Sequence, residues 1–526
     1  MIAAFLRASV WALSLSATLA FVGLGGKRAL HPLELDSFEG VMMDHVVRLN
    51  QGLPIYVKPS LEFIPLGIMP GFPMAAGLFT GTFGAHFWAL RLLPFLSILV
   101  VALMIVRIVR AETESWTLGM AGAGLFLAAF GVTGGQYDVG RPDSLGILLA
   151  LSGLATLRFS SGALGAVAAA LLLTMACFTV PASGWFAIAA LAHLAIADRW
   201  RLWSFGLAVV IGCGGGGWAL SQWLGPWFGL FAWEVPLGGL RFEATRVLDL
   251  LGHQIVGTFG FVTLAALLST ALPIRPWRGR SGLWIWAGCG AVGAGLTSAM
   301  GSNPSGSELI PLAVACGLVG PISLARVVNH LAAWPGSERM GRSTALHLVL
   351  ALQFMPLAYR AGDLLPAPPA EAARAALVER IWSCPGKVIV PGHGFYSWSA
   401  GKGSSMHAIA LDGLVRARDN SLFRRDPQFL DRLFDPLRQG QDRPTLITDD
   451  ELDQSQGDAR HLWISLASAY RLDKKPVQNS SSLQPVSGIR GAPALVYVPS
   501  EVEEPAMGAV AVPPGDSTSM SSHPEP

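Results

Sequence analysis

Charge is scarce in this chain. Asp, Glu, Lys and Arg supply 14% of 526 residues, against about 25% in soluble domains, which excludes an ordinary water-soluble globule. The net charge of +2 says nothing of partners, and no nucleic-acid partner is expected. Cysteine is rare as well. Four of the five, Cys177, Cys213, Cys289 and Cys316, sit inside apolar runs, and only Cys384 lies in a polar stretch. That excludes an internal disulfide framework and leaves the redox compartment unread. No internal repeat is visible.

Apolar residues are abundant: 52% are hydrophobic and 17 are Trp, a composition suited to membrane interfaces. A spanning helix needs about 20 apolar residues. Eleven runs qualify or come close, near 4–24, 88–106, 117–133, 143–158, 162–178, 183–197, 203–222, 251–273, 283–300, 307–325 and 344–360. The first reads as a retained signal anchor, since its apolar run is long and Lys27 and Arg28 follow directly. The segment 63–84 is broken by Pro65, Pro70 and Pro73 and reads as a re-entrant or interfacial helix.

Charge sets the orientation. Arg107, Arg110, Arg158, Arg199, Arg201, Arg275, Arg278, Arg280, Arg326, Arg339 and Arg342 fall in connectors of one side, and the short connectors opposite carry only Arg141, Arg241 and Arg246. The positive-inside rule makes the first side cytoplasmic, with the N-terminus, provided 63–84 does not cross. The loop from Gly25 to Phe87, the connector Gly134–Pro142 and the polar C-terminal region then share the outer face of a multi-pass cell (inner) membrane protein, with that region periplasmic or extracellular.

Beyond Arg360 the composition turns soluble. Helical patterns over Ala370–Trp382 and His407–Arg418 alternate with strand patterns at Lys387–Val390, Thr445–Thr448 and Ala494–Val498. The expected architecture is mainly α: a transmembrane domain over 1–360 with about eleven helices, a small soluble α/β domain over 361–499, and a disordered tail over 500–526 rich in Pro, Ser and Glu.

The acidic residues gather on the outer face. Glu34, Asp36, Glu39 and Asp44 follow the first span, and Asp138 and Asp143 flank Arg141 at the junction of two later ones. A carboxylate half-buried at an interface can have its pKa raised into the range useful for a general base. The structural alternatives are helix-dipole and capping roles and a local Asp138–Arg141 ion pair. Asp36, Glu39, Asp138 and Asp143 would hold a divalent cation only if folded together, and no cofactor or metal is expected as required.

The order of motifs carries a family resemblance. The acidic first outer loop is followed by Arg48-Leu-Asn-Gln-Gly52-Leu-Pro54-Ile-Tyr56, a Pro-rich helix ending at Phe83-Gly84, and Ala89-Leu-Arg91-Leu at the head of the next span. This resembles the GT-C membrane glycosyltransferases, among them bacterial relatives of the protein O-mannosyltransferases and the lipid A aminoarabinose transferases. The resemblance implies a lipid-linked sugar donor on polyprenyl phosphate, a lipid, glycan or protein acceptor, and inverting transfer to a hydroxyl. It also implies an Asp-Glu pair in the first loop. Here Glu39 aligns with the second acid and Phe38 stands where the Asp is usual, so Glu39 or Asp36 is the expected base. Arg91 matches the family's arginine and is the first candidate for the donor phosphate. The family's Lys-Pro motif is absent from Ile68-Met69-Pro70, which leaves Arg141, Lys58 and Arg246 as alternatives.

Three further positions are candidate sugar or acceptor contacts: Asn303 and Glu308 in a polar turn on the outer face, and His393 in Pro391-Gly392-His393-Gly394 after a strand. The last has neither a complete phosphate-binding fingerprint nor a third metal ligand beside His393 and His407. A secondary transporter would show inverted repeats and midplane ionisable groups, and a scaffold would be indifferent to loss of either acidic cluster.

Overall fold

The hydrophobic pattern produces helices wherever a run was expected. The computed structural model describes residues 1–271, 279–301, 305–331, 339–368, 370–440, 442–488 and 491–500. Arg275, Arg278, Asn303 and the C-terminal tail from Glu501 lie outside the described residues. Within the described residues each of the eleven apolar stretches contains helix. Among the described residues four helices are long and apolar enough to cross a membrane: α1 (Ile2–Ala29), α4 (Phe87–Thr113), α9 (Arg199–Leu224) and one over Ser307–Leu331. Shorter apolar helices pack with them, including α5 (Trp116–Ala128), α7 (Gly162–Cys177) and α12 (Leu283–Ala299). The protein is a multi-pass membrane protein.

Two segments differ from expectation. The run at 251–273 is no straight span, because Ala244–Thr258 and Gly260–Ala271 meet at 91°. The last run ends early, at Gln353, and continues as a single tight turn at Met355–Leu357. The segment 63–84 contains the helix α3, Gly71–Phe83. Its 13 residues extend about 20 Å, short of the ~30 Å hydrocarbon core.

Beyond Leu365 a four-stranded sheet forms, in the order β1-β2-β4-β3. Its strands are β1 (Val388–Ile389), β2 (Thr445–Thr448), β3 (Tyr470–Leu472) and β4 (Leu495–Pro499). β1 runs parallel to β2, while β4 is antiparallel to both β2 and β3. Helices Ala370–Ser383 (α15) and Ala408–Arg416 (α16) stand where the pattern placed them. No marked sequence pattern announces β3 or the helix Phe429–Gln439, whose Phe429, Leu433, Phe434 and Leu437 are buried.

Apolar burial sorts the chain into two cores. One lies within the helical bundle. The other joins the first outer loop (Val41, Val46, Ile64, Phe72) to residues 228–235 and to the sheet and helices of the C-terminal region. The loop that carries the acidic motif is therefore held by the C-terminal region as much as by the bundle.

Candidate active site

The acidic motif is first a helix start. Asp36 is the N-cap of α2 (Ser37–Asn50), its Oδ1 accepting from the Phe38 amide at 2.9 Å. Three residues on, Glu39 folds back and accepts from the Leu35 amide at 2.8 Å. This resembles a capping box, which satisfies amide groups that a helix start leaves unpaired.

Glu39 then goes inward. Its carboxylate takes two bonds from Arg91, Nε at 2.9 Å and Nη2 at 2.7 Å, and one from the Gly140 amide at 2.8 Å, with neither side chain exposed. Burial alone would raise the Glu39 pKa, but Arg91 and these amides outweigh it and hold the carboxyl below its usual range. The other Arg91 hydrogens go to the carbonyls of Arg28, His31 and Leu33. All five guanidinium donors are thus committed inside the protein. A parallel pair lies beside it: Arg28 grips Asp138 at 2.9 Å and also donates to the Leu364 and Gly135 carbonyls and to Ser487 Oγ.

The remaining loop acids tie down the C-terminal region. Glu34 pairs with His393 Nδ1, and Asp449 lies 3.5 Å from the same ring's Nε2. Asp44 pairs with His407 Nε2 at 2.7 Å. Burial raises Glu34 and Asp44, and the carboxylates of Asp449 and Glu34 raise His393 well above its usual value despite its burial. Each shift has the same sign: the docked state keeps protons that the undocked segments release. Docking should therefore be strongest at mildly acidic pH and weaken as pH rises above the ordinary carboxyl and imidazole values toward the raised ones. The melting temperature is expected to fall between about pH 6 and about pH 9, and to fall less in His393→Asn; equal slopes in both proteins would refute this account.

What remains faces a cavity of about 310 Å³. Its charged lining is Asp36, Arg141, Asp143, Glu308 and Arg416, with Thr297, Ser298, Ser305 and Ser307 as further polar groups, and its apolar wall includes Phe38, Leu66, Ile68, Val235 and Leu237. Mostly apolar walls with a few converging polar groups are what a ligand site needs. Asp36 is nearly enclosed. Its Oδ2 accepts from Gln136 Nε2 at 3.0 Å and faces Arg141 Nη1 at 3.3 Å. Gly488 also lies over it so closely that a Cβ there would approach Asp36 Oδ2 to 2.2 Å. Asp143, in the first turn of Asp143–Phe159, is 18% exposed and bonds only Arg141 Nε, at 3.4 Å, among the described residues. The Arg141 guanidinium also lies over the Phe38 ring, 4.5 Å from its centre. Glu308 accepts from the Gly306 amide at 3.0 Å.

Arg416 is the site residue that sequence reasoning missed. It comes from the end of α16 and bonds the Gly239 and Gly301 carbonyls. Arg241 shares Asp458 with it, and Arg246 shares the Gly301 carbonyl. No signal in the sequence links positions so far apart. Of the other expected residues, Lys58 is exposed outside the cavity, and His393 belongs to the docking pair. Glu39, Arg91 and Asp138 are interior ion pairs that do not line the cavity. The four carboxylates that would have had to meet around a cation are thus split between two arginine pairs and the cavity. No cluster of three metal-type side chains occurs among the described residues.

No family model and no curated protein matches the chain in sequence. Solved structures do match. ArnT from Cupriavidus metallidurans bound to undecaprenyl phosphate superposes with a TM-score of 0.54 at 12% identity, over 92% of this chain and 97% of that one. The fold is that of the GT-C membrane glycosyltransferases. The archaeal oligosaccharyltransferase AglB from Archaeoglobus fulgidus, in complex with an inhibitory peptide and a dolichol-phosphate, superposes at 0.51 with 11% identity, over 94% of this chain and 76% of that one. Within this GT-C fold, the cavity gathers Asp36 of the first loop, Arg141 of the following connector, Asp143 and Glu308 at helix starts, and Arg416 of the C-terminal region.

Proposed function

We propose that the protein is a membrane glycosyltransferase that moves a sugar from a polyprenyl-phosphate donor to an acceptor hydroxyl, with inversion, at the outer face of the membrane. The observation that carries this reading is the cavity itself: in a GT-C fold it combines a lightly bonded carboxylate, Asp143, with Arg141 and Arg416. Inverting transfer needs a base for the acceptor proton and a cation for the departing phosphate. Asp143 takes the hydroxyl proton, and the freed oxygen attacks the anomeric carbon. The bond from that carbon to the phosphate oxygen breaks, and the lipid phosphate leaves with both electrons toward Arg416, with Arg241 and Arg246 beside it. Asp36 holds Arg141, and Arg141 in turn positions the Asp143 carboxylate. The scheme uses side chains alone and takes no metal as required. The N-terminus is assigned to the cytoplasm and the C-terminal region to the opposite side, as the arginine distribution implies.

Native mass spectrometry of the purified protein tests the donor half of this scheme. The wild type should retain a polyprenyl phosphate or its sugar conjugate, whose mass identifies the sugar. Arg416→Ala should retain about tenfold less, the worth of one charge-assisted hydrogen bond. Retention of bulk phospholipid only, by both proteins, would end the proposal.

A further inference from the structure

A second, smaller cavity of about 140 Å³ lies apart from the first, where the end of α1, the start of α4 and the C-terminal region meet. Its polar lining is Arg374, His31, His86, Tyr396 and Ser399; burial and the nearby Arg91 lower the His31 pKa to about 4, so that ring is a neutral hydrogen-bond donor. None of its lining residues is acidic. Arg374, His31 and His86 make no side-chain hydrogen bond or ion pair with the described residues, in contrast to Arg28, which grips Asp138, and Arg91, whose five donors are all engaged. The N-terminus of the 27-residue α4 forms one wall through Phe87 and Trp88. That helix end carries partial positive charge and amide groups without helical acceptors.

The level of the cavity in the membrane follows from the same elements. Two helices long enough to cross, α1 and α4, terminate here. Trp88 and Phe83 are 37% and 47% exposed and pack on each other, with ring centres 5.4 Å apart. Exposed aromatic pairs at helix ends mark the headgroup zone of a bilayer. A basic cavity free of carboxylates, at a helix N-terminus and at headgroup depth, suits an anion that a lipid brings with it.

We propose that this cavity binds the phosphate of an anionic phospholipid headgroup, with Arg374 as its cation and His31 and His86 as further donors. The site is separate from the transferase cavity and does not depend on the function assigned there. Because Arg374 comes from α15 and the other groups from the bundle side, a bound headgroup bridges the C-terminal region to the membrane surface.

The test is lipid retention by the full-length protein in detergent, read by native mass spectrometry with three probes: dioleoyl phosphatidylglycerol, dioleoyl phosphatidylcholine and inorganic phosphate. The wild type should prefer the phosphatidylglycerol, and Arg374→Ala should weaken that binding about tenfold. Arg374 is exposed on a surface helix, so its loss should leave folding intact. Ser399→Trp, which fills the cavity and leaves its charge untouched, should weaken binding as well. Neither variant should alter polyprenyl-phosphate retention, so this proposal and the transferase reading fail separately. Equal phosphatidylglycerol binding by all three proteins would overturn it. Inorganic phosphate competing as well as the lipid would overturn the assignment to a headgroup.

Discussion

Asp143→Asn should lower sugar transfer by about two to four orders of magnitude, the usual contribution of a positioned general base, with little change in melting temperature. The amide keeps the side chain's size and its place in the first turn, and it removes the proton acceptor. Asp36→Asn should act differently. Asparagine still caps a helix well, so α2 should survive, but the charge that holds Arg141 is lost and transfer should fall through misplacement of that arginine. The two variants separate in the size of the loss: removing the base should cost far more transfer than misplacing Arg141, so Asp143→Asn should be the weaker enzyme. Full activity in Asp143→Asn, or the larger loss in Asp36→Asn, would move the base to Asp36.

The contrast between these two residues shows where sequence reasoning stops. Both stood out as acids on one membrane face, and both line the cavity. Which of them is available depends on Gln136, Gly488 and the amide of Phe38, contacts that no spacing announces. The helices were legible because burial in a bilayer demands long apolar runs, and the strands because Val388–Ile389 and Thr445–Thr448 are β-rich and buried. Pairings across the chain were not. Glu34 and His393 are 359 residues apart, and each alone is an ordinary polar residue. Local chemistry identified the capping pattern Asp36-Ser-Phe-Glu39 only as a cluster of acids, because a capping carboxylate and a catalytic one look alike until the partner is seen. Phe38, which replaces the expected acid, proves to be the ring on which Arg141 rests.

The second large effect concerns Glu39 and Arg91. Their motif position suggested chemistry, whereas their geometry predicts a structural lock. Removing one partner of a buried, fully bonded ion pair strands the other charge in a low-dielectric interior, at about 3–5 kcal/mol. Arg91→Ala should therefore destabilise the protein on that scale in a detergent unfolding assay. Arg91→Lys should rescue little, since three rotatable donors cannot replace the planar fork that reaches Glu39 and three carbonyls at once. The paired variant Glu39→Leu with Arg91→Leu removes both charges together, and its loss should be smaller than the sum of the single losses. A role in donor binding makes the opposite forecast: normal stability in Arg91→Ala, weakened polyprenyl-phosphate retention, and no coupling to Glu39. All five donors of Arg91 already have acceptors within the protein. A phosphate could recruit them only by breaking bonds that fix the first loop to the bundle, and the loop is what sets Asp36, and through it Arg141, at the cavity.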